Sequence, residues 1–295
     1  MALSCILLLA ATLTSDTAAI LANDDFHAQC WLDSYNFSVN CIDGVWGLKS
    51  ARAKEMFEKS GGEIPSRPFP MKRVTVSQLD VNELVTLPST PEGKAELEYL
   101  GYETIKEMFA ERGHVSQRCL EKLNPEITDW RKVGAGDRIL IPDINGVDVA
   151  LSTNKAALLK VSLKRCEIIA CDQDGKTIGF FPCSVAASKA HLPPHGELSV
   201  SAHIENPNYT YTPDTPPPDG SQPKKCILEP GPNNPVGVAW IGLKGLDLQG
   251  YGIHGTPTPE SVGNAESHGC FRVANWNARK LYRLTDFDTK VSIEP

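Results

Sequence analysis

The chain has 295 residues, 41% hydrophobic and 22% charged, with a formal net charge of −7. That apolar content suffices for a buried core and excludes a disordered chain. The lack of excess basic charge excludes a nucleic-acid partner, and no apolar run beyond the N-terminus is long enough to span a membrane.

In chain order, Leu3 to Leu13 form a short apolar run followed by small residues, with Ala19 and Ala22 as cleavage positions. This pattern predicts a signal peptide over 1–22 and export to the periplasm or cell envelope. One element is missing, since no Lys or Arg precedes Lys49. The nine cysteines support export only weakly. Cys30 and Cys41 are candidates for a disulfide in an oxidising compartment, but spacing leaves the connectivity open.

Residues 27–62 show helical apolar spacing, then the turn Asp43-Gly44-Val45-Trp46-Gly47, then a second helical run through Ala53 and Phe57. The segment resembles the small helical peptidoglycan-binding module of cell-wall enzymes, placed here at 23–65; the plainer alternative is a two-helix packing unit without a ligand. Residues 66–93 are punctuated by proline and read as a linker. Residues 94–146 carry two helical runs, Asn124-Pro125, a Gly-rich turn and an alternating strand through Ile139 to Pro142. That order resembles a LysM module, although a first strand is hard to see in it. "VGAGDR" is no phosphate loop, because it lacks Lys-Ser/Thr and no strand precedes it.

From Ala156 the texture turns to short strands. Two β-rich runs flank Asp172-Gln173-Asp174-Gly175-Lys176, a hairpin signal. "GELSVSAHIE", "VAWIGL" and "TKVSIEP" follow as strands, and "NWNARKLYRL" as a helix capped by Asn275 or Asn277. Residues 210–235 hold eight prolines and read as a long, semi-rigid surface loop. The predicted fold is therefore multi-domain: a small α-helical module, a small α+β LysM-like module, and a mainly-β, sandwich-like domain over 150–295.

The chemistry is concentrated in "YGIHGTPTPESVGNAESHGCFRVANW", Tyr251 to Trp276. A cysteine attacks well when a neighbour stabilises its thiolate or accepts its proton, and histidine is the natural partner. A glycine before the nucleophile lets the backbone approach a reacting carbonyl, and amide N–H groups there can hold an oxyanion. Gly269 and Cys270 supply these parts. His254, at the end of a strand-like run, is the candidate base, with His268 in support. No histidine follows Cys270, so the order is His then Cys, opposite to papain-like peptidases.

"IHGT" followed by "SHGCFR" resembles the L,D-transpeptidase catalytic domain (YkuD-like), and the resemblance extends over 155–295. It implies a cysteine acyltransferase that cleaves the diaminopimelate–D-alanine bond of a tetrapeptide stem. The acyl group then passes to an amine, forming a 3→3 peptidoglycan cross-link. It further implies Cys270 as nucleophile, His254 as base oriented by the Gly255 carbonyl, and His268 and Gly269 in the oxyanion site. Arg272, Ser267 and Tyr251 would contact substrate. No metal or cofactor is expected, and the partners are stem peptides and glycan. His195 departs from the threonine usual at its position. Alternatives are L,D-carboxypeptidase or exchange activity, a non-catalytic peptidoglycan anchor, and a zinc site built from His254, His268 and Cys270.

Overall fold

The computed structural model describes residues 15–149, 154–186, 195–213, 225–246, 250–267 and 269–295. The N-terminal half runs α1 (Ser15–Leu21), α2 (Asp24–Ser34), α3 (Leu48–Lys59), β1 (Met71–Thr75), α4 (Gln78–Asn82), α5 (Pro91–Lys94), α6 (Ile105–Arg112), α7 (Gln117–Leu123) and β2 (Arg138–Pro142). Its helices begin where side-chain oxygens can satisfy the first amides: Asn23 caps α2, Thr104 caps α6 and Ser116 caps α7, while Ser77 and Asp80 form a capping box on α4.

These elements close around one core. Phe26, Trp31, Phe57, Met108, Phe109, Leu120 and Ile139 belong to a single buried cluster. The segments expected as separate modules at 23–65 and 94–146 thus share their apolar interior. The expected linker is not a bare connector either, because β1 within it pairs antiparallel with β2, from Met71↔Pro142 to Thr75↔Arg138. Its polar, Pro-punctuated sequence hides a strand whose partner lies far along the chain. α1 packs on α7, with Ile20 buried, so Ala19 and Ala22 fall within or beside a packed helix.

The Asp43–Gly47 turn is held from below by Gln29, which is buried. The Gln29 side-chain oxygen accepts from the Asp43 and Gly44 amides at 3.0 and 2.8 Å, and its amide donates to Asp43 Oδ1 and to the Val45 carbonyl. Asn124 serves α7 in a similar way, exchanging bonds with both the N–H and the C=O of Leu140 on β2.

The C-terminal half adds β3 (Leu158–Ser162), β4 (Glu167–Cys171), β5 (Thr177–Pro182), β6 (Val185–Ala186), β7 (Gly196–Glu205), β8 (Tyr209–Tyr211), β9 (Cys226–Leu228), β10 (Ala239–Lys244), β11 (Gly252–His254), β12 (Ala265–Ser267), β13 (Phe271–Arg272), α8 (Asn275–Leu284) and β14 (Lys290–Glu294). Among the described residues, eight of these strands form one mixed sheet in the order β13-β11-β10-β7-β14-β3-β4-β5. The expected two-sheet sandwich is therefore one large sheet with α8 laid on it. Alternation of small polar and apolar residues reads alike for both, and only the pairing distinguishes them. Leu159, Ile168, Val200, Ile241, Ile253, Phe271 and Leu281 fill the core between sheet and helix.

Three further expectations change. The cap of α8 is Ala274, without a side-chain bond; Asn275 turns its amide elsewhere. The Pro-rich stretch is partly built, since β8 and β9 pair from Tyr209↔Leu228 to Tyr211↔Cys226, while residues 214–224 lie outside the described ones. Cys30 and Cys41 are both free thiols, as are the other described cysteines.

The two halves are welded together. Residues 36–38 run along β5, where Ser38 N–H donates to the Phe180 carbonyl and Phe180 N–H to the Asn36 carbonyl, covering an edge that would otherwise be open. Phe180 itself lies in the N-terminal core. Asp33 is fully buried, and its carboxylate binds Lys280 at 2.7 Å and His114 at 2.6 Å. Burial alone would raise its pKa, yet Lys280 and His114 hold it well below the usual carboxylate range.

Candidate active site

β11 and β13 pair in parallel, with Ile253 opposite Phe271 and His254 opposite Arg272. Ile253 and Phe271 point into the core. Strand alternation therefore puts His254, Arg272 and, one step before β13, Cys270 on the other face. The Arg272 charge acts on both the imidazole and the thiol, lowering each pKa, which agrees with this clustering.

His254 is buried, and Nδ1 lies 2.7 Å from the Gly255 carbonyl oxygen. A carbonyl can only accept, so Nδ1 carries the proton and Nε2 keeps its lone pair. Burial pushes this histidine down to about 4; the Gly255 carbonyl opposes that shift and Arg272 adds to it. The imidazole is consequently neutral at pH 7, as a proton acceptor must be.

The Cys270 thiol donates to the Gly250 carbonyl at 3.5 Å. Burial raises its pKa, while the Gly252 N–H and Arg272 pull it back. The resting site thus holds a neutral thiol and a neutral imidazole on one face. The arrangement can transfer a proton when the thiol attacks, and does not depend on a preformed thiolate.

The backbone around the pair is tightly fixed. Arg272 and Ser184 exchange two backbone hydrogen bonds, 2.8 and 3.1 Å, immediately after the cysteine, and Val273 N–H donates to the His254 carbonyl at 2.9 Å. Gly269 has φ +148°, a conformation that residues with a Cβ rarely adopt, directly before Cys270. The segment leading to the site is held by the N-terminal half: Asn40 donates to the Pro259 carbonyl at 2.7 Å and the Lys49 ammonium to the Val262 carbonyl.

Of the other expected site residues, Tyr251 is half-buried, and its carbonyl accepts from Leu243 N–H across to β10. Ser267 lies in β12, whose partner is β6. His268 lies outside the described residues, and His195 is exposed.

Two contributors escape sequence reasoning. Trp240 faces His254 in the β10–β11 register and stacks on it, centroids 5.5 Å apart and planes 19° from parallel. The stack needs Gly252, where a Cβ would sit 2.7 Å from Trp240 Cζ2. Asn275 packs against the backbone just after His254, since its Oδ1 would lie 2.3 Å from any Cβ at Gly255 and 2.2 Å from one at Gly237. The Asn275 amide donates to Glu111 Oε2 and to the Pro232 carbonyl, both at 3.0 Å. A signal for Trp240 exists in the glycines alternating with larger residues in "GYGIHG" beside a tryptophan-bearing strand. For Asn275 no local signal exists.

Residues 156–293 match the L,D-transpeptidase catalytic domain, YkuD. The chain is 39% identical over 133 residues to YqjB of Bacillus subtilis (strain 168), named as an L,D-transpeptidase, covering 44% of this chain and 67% of that one. The chain belongs to the L,D-transpeptidase family. It also matches the L,D-transpeptidase YkuD of Bacillus licheniformis, 42% identical over 67 residues, or 23% of this chain and 39% of the relative. Among solved structures, an L,D-transpeptidase from Mycobacterium smegmatis superposes with a TM-score of 0.37 at 14% identity, covering 55% of this chain and 65% of that one. The family match begins at residue 156, so the N-terminal half stands outside it.

Proposed function

We propose that this L,D-transpeptidase family member is a cysteine acyltransferase acting on peptidoglycan stem peptides. The observation that carries the reading is the shared face of Cys270, His254 and Arg272 across β11 and β13, with His254 Nε2 left free by the Gly255 contact. Cys270 Sγ attacks the carbonyl between diaminopimelate and D-alanine, and its proton passes to His254 Nε2. Amides around Gly269 and Cys270 hold the oxyanion, each donor contributing on the order of 3 kcal/mol. The C–N bond then breaks, the imidazolium returns its proton to the departing amine, and D-alanine leaves behind a thioester. An amine of a second stem attacks the thioester, giving a 3→3 cross-link and regenerating the thiol.

In this reading Arg272 pairs with a substrate carboxylate, a geometry its fork suits, and Tyr251 and Ser267 take part in substrate binding. The enzyme works outside the cytoplasmic membrane, in the cell envelope where stems are found, and the N-terminal half presents the catalytic half to the wall.

The test incubates the protein and its Cys270→Ala and His254→Ala variants with a disaccharide-tetrapeptide, following products by mass spectrometry. Loss of D-alanine with dimer formation by the wild type alone supports the transpeptidase. Tripeptide without dimer assigns an L,D-carboxypeptidase instead. Unchanged substrate with folded protein would turn the reading toward a wall anchor.

A further inference from the structure

A cavity of about 270 Å³ lies where α8 meets β1, β2 and α6, and neither Cys270 nor His254 lines it. In a protein of net charge −7 its lining is strongly cationic, with Lys72, Arg112, Arg279, Lys280 and Arg283 facing a single carboxylate, Glu111. Three of these cations are already matched. Lys72 pairs with Asp143, Arg112 with Asp80 and Lys280 with Asp33, and none of those carboxylates lines the cavity. Glu111 is occupied as well: Tyr102 donates to Oε1 at 2.8 Å and Asn275 to Oε2 at 3.0 Å.

Arg279 and Arg283 remain. They are exposed, one helical turn apart on α8, and neither has an ion pair among the described residues. Trp276, one turn earlier on the same helix, is 5% exposed, lines the same cavity, and its indole N–H has no acceptor among the described residues. Two guanidiniums without ion pairs therefore border one space whose single carboxylate, Glu111, is already hydrogen-bonded, and Trp276, with its unsatisfied indole N–H, lines the same space.

We propose that this cavity is a binding site for a phosphate group, free or as the monoester of a sugar or polyol. A phosphomonoester brings about 1.5 to 2 negative charges and three acceptor oxygens in one tetrahedral group, which matches two unpaired guanidiniums; a lone carboxylate brings one charge. Arginine forks bind phosphate in bidentate fashion. The cavity is several times larger than a single water's share of about 30 Å³, so it has room for the carbon skeleton of an ester as well. The site is separate from the acyl-transfer reading and does not depend on it.

The test is calorimetric titration of the full chain at low salt with inorganic phosphate, glucose 1-phosphate and acetate. Both phosphates should bind, weaken as salt rises, and weaken at least tenfold in the Arg279→Gln/Arg283→Gln double variant, with acetate showing no comparable binding. Tighter glucose 1-phosphate than inorganic phosphate would assign the site to an ester, and the reverse to the free ion. In a parallel NMR titration, which needs no charge variant, the indole N–H signal of Trp276, assigned with Trp276→Phe, should shift as phosphate is added. Absence of phosphate binding, acetate binding as tight as phosphate, undiminished affinity in a folded double variant, or a Trp276 signal that stays put would each overturn the proposal.

Discussion

Trp240 and His254 occupy opposite positions on β10 and β11, and their rings stack 5.5 Å apart. One face of the imidazole is thereby covered, while Nδ1 is tied to the Gly255 carbonyl. The ring is held by a plane and a hydrogen bond together, so Nε2 points one way.

Removing the plane tests this. Trp240→Ala should lower kcat about tenfold or more with a smaller change in KM, because positioning matters most at the proton-transfer step. Trp240→Phe, which keeps a stacking ring, should recover much of the loss. Gly252→Ala should act on the same contact by forcing the indole away, at a stability cost of about 1–3 kcal/mol measured by chemical denaturation.

Asn275, packed against Gly255, reaches the N-terminal half through Glu111. Asn275→Ala would leave a buried carboxylate oxygen and the Pro232 carbonyl short of donors, a loss of about 2–4 kcal/mol in denaturant unfolding. Asn275→Asp is more informative. It sets two carboxylates together, and burial already raises the Glu111 pKa. Its deficit relative to wild type should grow as pH rises and both groups try to ionise.

The pH dependence of the site follows from His254. Its folded pKa, about 4, lies below the unfolded value near 6.5. Between those values the unfolded chain binds more protons, so stability falls as pH drops from about 6.5 to 4, by on the order of 3 kcal/mol. The His254→Phe variant should lose that share of the acid sensitivity. In kcat/KM the acid limb should fall near pH 4. Arg272 lowers both the His254 and Cys270 pKa, so Arg272→Gln should move the acid and alkaline limbs upward together.

At the interface of the halves, Asp33→Ala would strand the buried Lys280 ammonium without its partner. Such a break costs about 3–5 kcal/mol, and thermal denaturation should show it as a large drop in Tm. The same logic predicts that residues 154–295 alone are poorly stable, since Phe180 and the β5 edge lose their cover.

The proposed catalytic residues stand out in the sequence because their chemistry is local. His254, Gly269, Cys270 and Arg272 fall within one short segment, and a histidine-then-cysteine order near glycines has few other uses. Several strands of the C-terminal half are legible too, since alternation marks β7, β10 and β14. What surrounds them is not. Asn275 reads as a helix cap, yet its partner is Glu111, 164 residues away; no periodicity encodes such a contact. Met71–Thr75 reads as linker because its partner, Arg138–Pro142, also lies far along the chain. The two N-terminal segments look like separate modules since each has helical periodicity, and only packing reveals that Phe26 and Phe109 share a core.

The most direct test of Cys270 as nucleophile is intact-protein mass spectrometry during turnover of the disaccharide-tetrapeptide. The thioester should appear as a mass increase equal to substrate minus D-alanine, mapped to the peptide containing Cys270, and it should be absent in Cys270→Ala. Release of D-alanine without an adduct, or an equal adduct in the variant, would contradict the account.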